Sequence, residues 1–284
     1  MAESNQQMKT QKEENFPVAC KLFSPQNRVL ITHYYNFARA CDDIADNPSL
    51  TTKEKNKQLD DAENTLFNNG HFLQAQVLRE DFIKEKLDFS LATDLLVAFK
   101  RDAINKPYKT WAQLLDYCRY SAEPVGRFML ALHNENPSTY LPASALCTVL
   151  QLTNHIQDLR SDIFELNRNY LPEELLKKHK VSQKSLLSGK SSKSLQNLTN
   201  DILNRCRYLL KDARILPSII KNRRLNFYIC VTISLTDILI NKLYNKDVMS
   251  DKVVLSKVDW LKAGCIGLYK TLTTKRKTLA NESL

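Results

Sequence analysis

The chain has 284 residues, 43% apolar and 25% charged, with 41 Lys and Arg against 31 Asp and Glu and a formal charge of +10. Its 5 Gly and 9 Pro are too few for the many tight turns of a β-sandwich or barrel. Neither G-x-G-x-x-G nor G-x-x-x-x-G-K-[ST] occurs, which argues against a Rossmann or P-loop nucleotide site.

The charge is uneven. Residues 1–172 hold 19 basic and 22 acidic residues, whereas residues 173–284 hold 22 basic and 9 acidic. A basic half suits a polyanionic ligand or an anionic membrane surface, and a solvated Lys-rich surface is the plain alternative. The polar N-terminus lacks the apolar core of a signal peptide, and no apolar stretch reaches the roughly 20 residues needed to cross a bilayer. The seven Cys are odd in number with no C-x-x-C pair, which predicts reduced side chains packed as small apolar residues in a cytoplasmic protein.

In chain order, residues 1–13 read as a polar tail and 28–46 as a helix. Residues 47–57 read as a loop with a new helix starting at Ser49 or Thr52. Apolar residues over 58–104 recur at a helical period and predict two or three helices. Lys106-Pro107 breaks that run. Residues 109–133 resume it, with a kink or break at Pro124. Val149, Leu152, Ile156, Leu159 and Ile163 predict one helix over 143–166. Residues 167–173 interrupt it, and the Ser-rich stretch 181–197 reads as a loop or a short helix. Residues 198–245 return to helical patterning, 253–272 form a last amphipathic stretch, and 273–284 a polar tail. The prediction is an all-α chain with a single domain over 14–272 and roughly nine or more helices.

Two acidic clusters carry the chemistry. Asp42 and Asp46 stand at i and i+4, with Tyr35 and Arg39 on the same stripe. Gln151, Asn154, Asp158 and Asp162 form a second stripe at spacings of 3, 4 and 4, beside the apolar row. Like charges at i,i+4 destabilise a helix unless a cation lies between them. Two such faces opposed across a helical bundle would hold hard divalent cations through oxygen ligands, bridged to substrate phosphates. A di-iron bundle would want Glu-x-x-His pairs, and none occurs.

Several segments resemble the squalene/phytoene synthase family. They are Asn15-Phe16-Pro17-Val18-Ala19, the run from Tyr35 to Asp46, the run from Tyr117 through Arg119, Tyr120 and Glu123 to Gly126, Gln151 to Asp158, and Asn169-Tyr170-Leu171-Pro172. The resemblance covers about residues 14–250 and keeps family order. It implies an isoprenoid-synthase helical bundle with a central apolar cavity. It also implies Mg²⁺-diphosphate chemistry, with two or three ions held through Asp42, Asp46, Asp158 and Asp162 and with Arg39, Gln151 and Asn154 on the diphosphate.

Departures from the family pattern narrow the reading. The usual His/Ser segment before the first motif is replaced by Lys12-Glu13-Glu14-Asn15, and Arg119 and Glu123 stand where other residues are usual. The wording looks like the bacterial hydroxysqualene-forming branch of hopanoid biosynthesis. The implied reaction ionises presqualene diphosphate, rearranges the cation and traps it with water, with NADPH not expected. Head-to-head condensation of farnesyl or another prenyl diphosphate is the alternative. On this reading Tyr35, Phe37 and Tyr117 offer aromatic faces to a carbocation, core packing being the other reading for each. Glu123 or Arg119 positions the water, unless Glu123 is a surface acid beside a Pro-broken helix. Arg28 and Arg127 pair with phosphate oxygens or form surface ion pairs. His155 lies beside the acidic stripe. A non-catalytic binding protein on the same fold is the alternative of another class, and the four intact aspartates argue against it. No nucleic-acid partner is expected, since neither a helix-turn-helix nor a zinc pattern is present. The expected location is cytoplasmic; the basic half and residues 253–272 are candidates for a peripheral contact at the inner membrane face, the other reading of 253–272 being simply the last core helix.

Overall fold

The computed structural model describes residues 20–275, and no strand occurs among them. Asn15-Phe16-Pro17-Val18-Ala19, the 1–13 tail and most of the 273–284 tail lie outside the described residues.

The first helix, α1 (Pro25–Asp46), starts where the sequence supplies a cap: Ser24 Oγ accepts the Asn27 N–H at 3.1 Å, and Pro25 occupies the first turn. Its buried row is Leu30, Ile31, Tyr34, Phe37, Cys41 and Ala45. The row one residue further on, with Asp42 and Asp46, therefore borders the core. The second helix, α2 (Thr52–Leu66), begins at the Thr51/Glu54 capping box, which decides between the two predicted starts. Next come α3 (Leu73–Glu85) and α4 (Ser90–Ile104), each ended by a residue in the left-handed region, Lys86 and Asn105. The predicted break near Pro124 is present: α5 (Trp111–Ser121) gives way at Ala122 to α6 (Glu123–Leu132).

The helix predicted over 143–166 is two. The first, α7 (Tyr140–Gln157), stops at Asp158, and α8 (Leu159–Phe164) follows. The bend is held from outside. Gln157 Nε2 donates to the Val253 carbonyl at 2.5 Å, and Arg160 Nη1 to the Met249 carbonyl at 2.8 Å. Short helices α9 (Glu173–Lys178) and α10 (Gln183–Leu186) lead into the long α11 (Lys193–Ala213), the short α12 (Leu216–Ile219) joins it to the long α13 (Arg223–Leu243), and α14 (Lys257–Thr273) is the last helix among the described residues.

Helix α7 is central and packs on α5, α6, α11 and α13, while α1 packs on α3 and α4. Beneath α1, the Tyr34 ring stacks on Phe128 at 4.0 Å, and its hydroxyl donates to the Leu91 carbonyl at 2.6 Å. Glu135 is buried and accepts the N–H groups of Lys221 (2.9 Å) and Asn222 (2.7 Å). An anion at the N-terminus of α13 is favoured by the helix dipole, which offsets the desolvation of that carboxylate. On its other side α13 meets α14 closely. A Cβ on Gly267 would stand 2.6 Å from Val231 Cγ2 and 3.2 Å from its backbone nitrogen, so only glycine allows this approach. The seven cysteines form no disulfide, and no helix of the described residues is long and apolar enough to cross a membrane.

Candidate active site

Between α1, α4, α5, α7 and α8 lies a cavity of about 570 Å³. The sequence places two acidic stripes on its walls. Arg39, Asp42 and Asp46 come from α1, Gln151 and Asn154 from α7, and Asp158 and Asp162 from the α7–α8 junction. The split at Asp158 does not scatter the second stripe. The Asp158 N–H still bonds to the Asn154 carbonyl at 2.8 Å, and the Asp162 N–H to the Asp158 carbonyl at 2.9 Å, so helical pitch is kept across the bend.

The cavity is strongly acidic. Asp42, Asp43, Asp46, Asp102, Asp158, Asp162 and Glu165 line it, against two guanidiniums, Arg39 and Arg168. Burial pushes the Asp42 carboxyl up to about 7, with the Asp46 charge adding to it and Arg39 opposing. Arg39 bonds to Asp42 at 2.8 Å and Asp43 at 2.5 Å. Burial alone would lower its pKa, but those two carboxylates, with Tyr35 and Asp46 behind them, raise it. Arg168 supplies the other cation. Its Nη1 lies 2.8 Å from Asp46 Oδ1, in a contact poorly aligned for a hydrogen bond, and 3.2 Å from the Tyr170 hydroxyl.

A buried network forms the floor. The Asp102 carboxylate accepts from the Tyr117 hydroxyl at 2.7 Å and the Tyr170 hydroxyl at 2.9 Å, and Arg168 Nη2 donates to the Asp102 carbonyl at 3.3 Å. Burial raises the Asp102 carboxyl to about 6, while Arg168 and the two hydroxyls hold it down. His155 stacks on Tyr170 at 3.7 Å, and burial next to Arg168 lowers it to about 3, so the ring is neutral.

Not every candidate from the sequence reaches this cavity. Tyr35 is half-buried near Arg39 but is off the wall, and Phe37 is fully buried in the core. Arg119 is exposed, with its guanidinium 5.7 Å from the Tyr120 ring. It lies two residues past Tyr117 on α5, about 200° around the helix, so it faces away when Tyr117 faces in. Glu123 begins α6 beyond the Ala122 break. It accepts from the Thr148 hydroxyl at 3.4 Å and lines a separate outer groove with Leu115, Leu141 and Leu209. Neither Arg119 nor Glu123, the expected holders of the water, is on the wall of this cavity. Glu123→Gln and Arg119→Ala are expected to retain turnover within about threefold, measured by diphosphate release. Arg127 pairs with Asp94 at 2.7 Å instead of facing the cavity. Arg28 is not on the cavity wall either. The cavity is lined by more polar than apolar side chains, because α1, α4 and the segment from Asp158 to Glu165 turn acids into it; Phe99, Leu166 and the faces of Tyr117 and Tyr170 supply its apolar wall.

Asp102, Arg168 and Tyr170 were not singled out as site residues from the sequence. The signal for Asp102 was an acid on the apolar row of α4, behind Leu91, Leu95 and Ala98.

The sequence profile of squalene/phytoene synthases matches residues 9–259. The chain belongs to the squalene/phytoene synthase family. It is 38% identical over 254 residues to a hydroxysqualene synthase of Rhodopseudomonas palustris, covering 89% of this chain and 87% of the relative. It is 36% identical to a hydroxysqualene synthase of Sinorhizobium fredii with the same coverage. The crystal structure of squalene synthase HpnC from Alicyclobacillus acidocaldarius superposes with a TM-score of 0.69 at 24% identity, covering 82% of this chain and 89% of that one. The bundle is thus the isoprenoid-synthase fold, and the protein is an enzyme of that family's prenyl diphosphate chemistry.

Proposed function

We propose that this family member converts presqualene diphosphate and water to hydroxysqualene and diphosphate. The observation that carries the reading is the similarity, over nine-tenths of the chain, to proteins described as hydroxysqualene synthases. The cavity supports it with two opposed acidic walls over a floor of aromatic rings.

The donor set fits Mg²⁺. It offers carboxylate oxygens in excess of cations, and a diphosphate could not enter against that charge unaided. Mg²⁺ takes oxygen ligands, keeps several waters and shares its shell with substrate phosphate. Asp42, Asp46, Asp158 and Asp162 would hold the ions, which when bound take up the charge developing on the departing diphosphate. Arg39 can leave Asp43 to contact a phosphate oxygen, and Gln151 and Asn154 present amide donors on the facing wall. The rings of Tyr117 and Tyr170 offer their negative faces to a carbocation. Their hydroxyls are both engaged by Asp102, which fixes the ring planes.

Purified protein with Mg²⁺ and presqualene diphosphate, and separately farnesyl diphosphate, each with and without NADPH, tests the reaction. Hydroxysqualene from presqualene diphosphate without NADPH is expected by mass spectrometry. Squalene or another polyene from farnesyl diphosphate would replace this reading with head-to-head condensation.

A further inference from the structure

We propose that the outer face of α14 is a docking surface for an anionic lipid bilayer, on which the helix lies parallel to the membrane plane. The inference rests on no assumption about the reaction.

The C-terminal helix has two apolar sides. Its inner side is made of small residues, Ala263 and Gly267, and these let it press against α13. Its outer side carries Val258, Leu261, Cys265, Leu268 and Leu272, spaced 3, 4, 3 and 4, and all are exposed. Leu261 is 70% and Leu272 76% exposed. The 3–4 spacing puts all five on one strip of the helix. A soluble chain scatters single apolar residues over its surface; a continuous strip of this length marks a contact.

Charge decides the occupant. Lys257, Lys262 and Lys275 are exposed and flank the strip. The helix has a single acid, Asp259, and it is turned inward, bonded to Lys242 and to Ser256 at the helix start. The outer face therefore carries lysines and no carboxylate. A second copy of the same helix would set lysine against lysine with no acid to pair them, which disfavours a symmetric dimer through this face. An anionic headgroup layer meets the lysines with opposite charge, and its acyl boundary receives the leucines. Tyr269 is 68% exposed at the edge of the strip, an aromatic with a polar tip of the kind that settles at a membrane interface. No helix among the described residues is able to span a bilayer, so the contact is one of lying on the surface.

Flotation of the full chain with vesicles tests this. The chain should float with vesicles of phosphatidylcholine and phosphatidylglycerol, and not with phosphatidylcholine alone. Raised salt should weaken the association. The double variant Leu261→Ser/Leu268→Ser should bind at least about tenfold less, and Lys257→Glu/Lys262→Glu should lose the preference for the anionic vesicles. Both pairs are solvent-exposed, and unchanged melting and circular dichroism would show that the fold is kept. Three outcomes overturn the proposal: no flotation of the parent chain, flotation unchanged in the Ser variant, or a parent dimer in sedimentation that the Ser variant dissociates.

Discussion

Asp158→Asn is expected to lower turnover by about a thousandfold or more, equivalent to roughly 4 kcal/mol of transition-state stabilisation, while leaving the chain folded. The backbone at this position bonds independently of the side chain, through the Asn154 carbonyl above and the Asp162 N–H below, and asparagine is nearly isosteric. What is lost is one of the carboxylates facing α1 across the cavity. If that wall holds Mg²⁺, the variant should also need more Mg²⁺ to reach its residual rate, so a titration separates lost ion binding from general damage. Asp42→Asn on the opposite wall should behave alike, and the two together should cost less than the sum, because residues that act through shared ions are not additive. Turnover of Asp158→Asn within tenfold of the parent at every Mg²⁺ concentration would remove the second stripe from the chemistry.

The second large effect is on stability. Arg168→Ala is expected to cost about 3 kcal/mol, read from urea unfolding followed by circular dichroism. Arg168 is buried and stands between Asp46 and Asp102. Without it, a nearly enclosed carboxylate and a partly enclosed one face each other with no cation between them. Arg168→Lys should recover only part of the loss, since one ammonium cannot reach Asp46, the Tyr170 hydroxyl and the Asp102 carbonyl together. The deficit has a pH signature. Asp102 titrates near 6 in the fold and near 4 in an unfolded chain, so the folded state binds its proton more tightly. Arg168 is one of the groups that hold this carboxyl down, so in the Ala variant it takes up its proton at a higher pH than in the parent; the deficit should be largest in alkaline solution, shrink as pH falls toward about 6, and change little below that. A loss below about 1 kcal/mol would mean that the surroundings relax and resolvate the two acids.

The acidic walls were legible because their signal is local. Asp42 and Asp46, and Asn154, Asp158 and Asp162, declare a face by spacing alone. The Thr51/Glu54 box and Pro124 declare boundaries in the same way. The bend at Asp158 was not legible. Residues 154–162 contain no Gly or Pro and keep a helical period, and the bend is held by carbonyls about 90 residues away. Asp102 and Arg168 were opaque for a related reason. Neither belongs to a spaced acidic pattern, Asp102 following directly on Lys100 and Arg101, and the meaning of each lies in a partner 66 positions off. Arg119 and Glu123 show the converse. They neighbour Tyr117 in sequence, but the turn of α5 and the break at Ala122 send them to the outside.

The two bonds that hold the bend, from Gln157 to Val253 and from Arg160 to Met249, have one more consequence. The carbonyls they use belong to the segment that leads into α14. The residues on either side of Asp158 are therefore anchored to the chain four and eight positions before α14 begins, so the wall of the cavity and the start of the last helix share one set of hydrogen bonds.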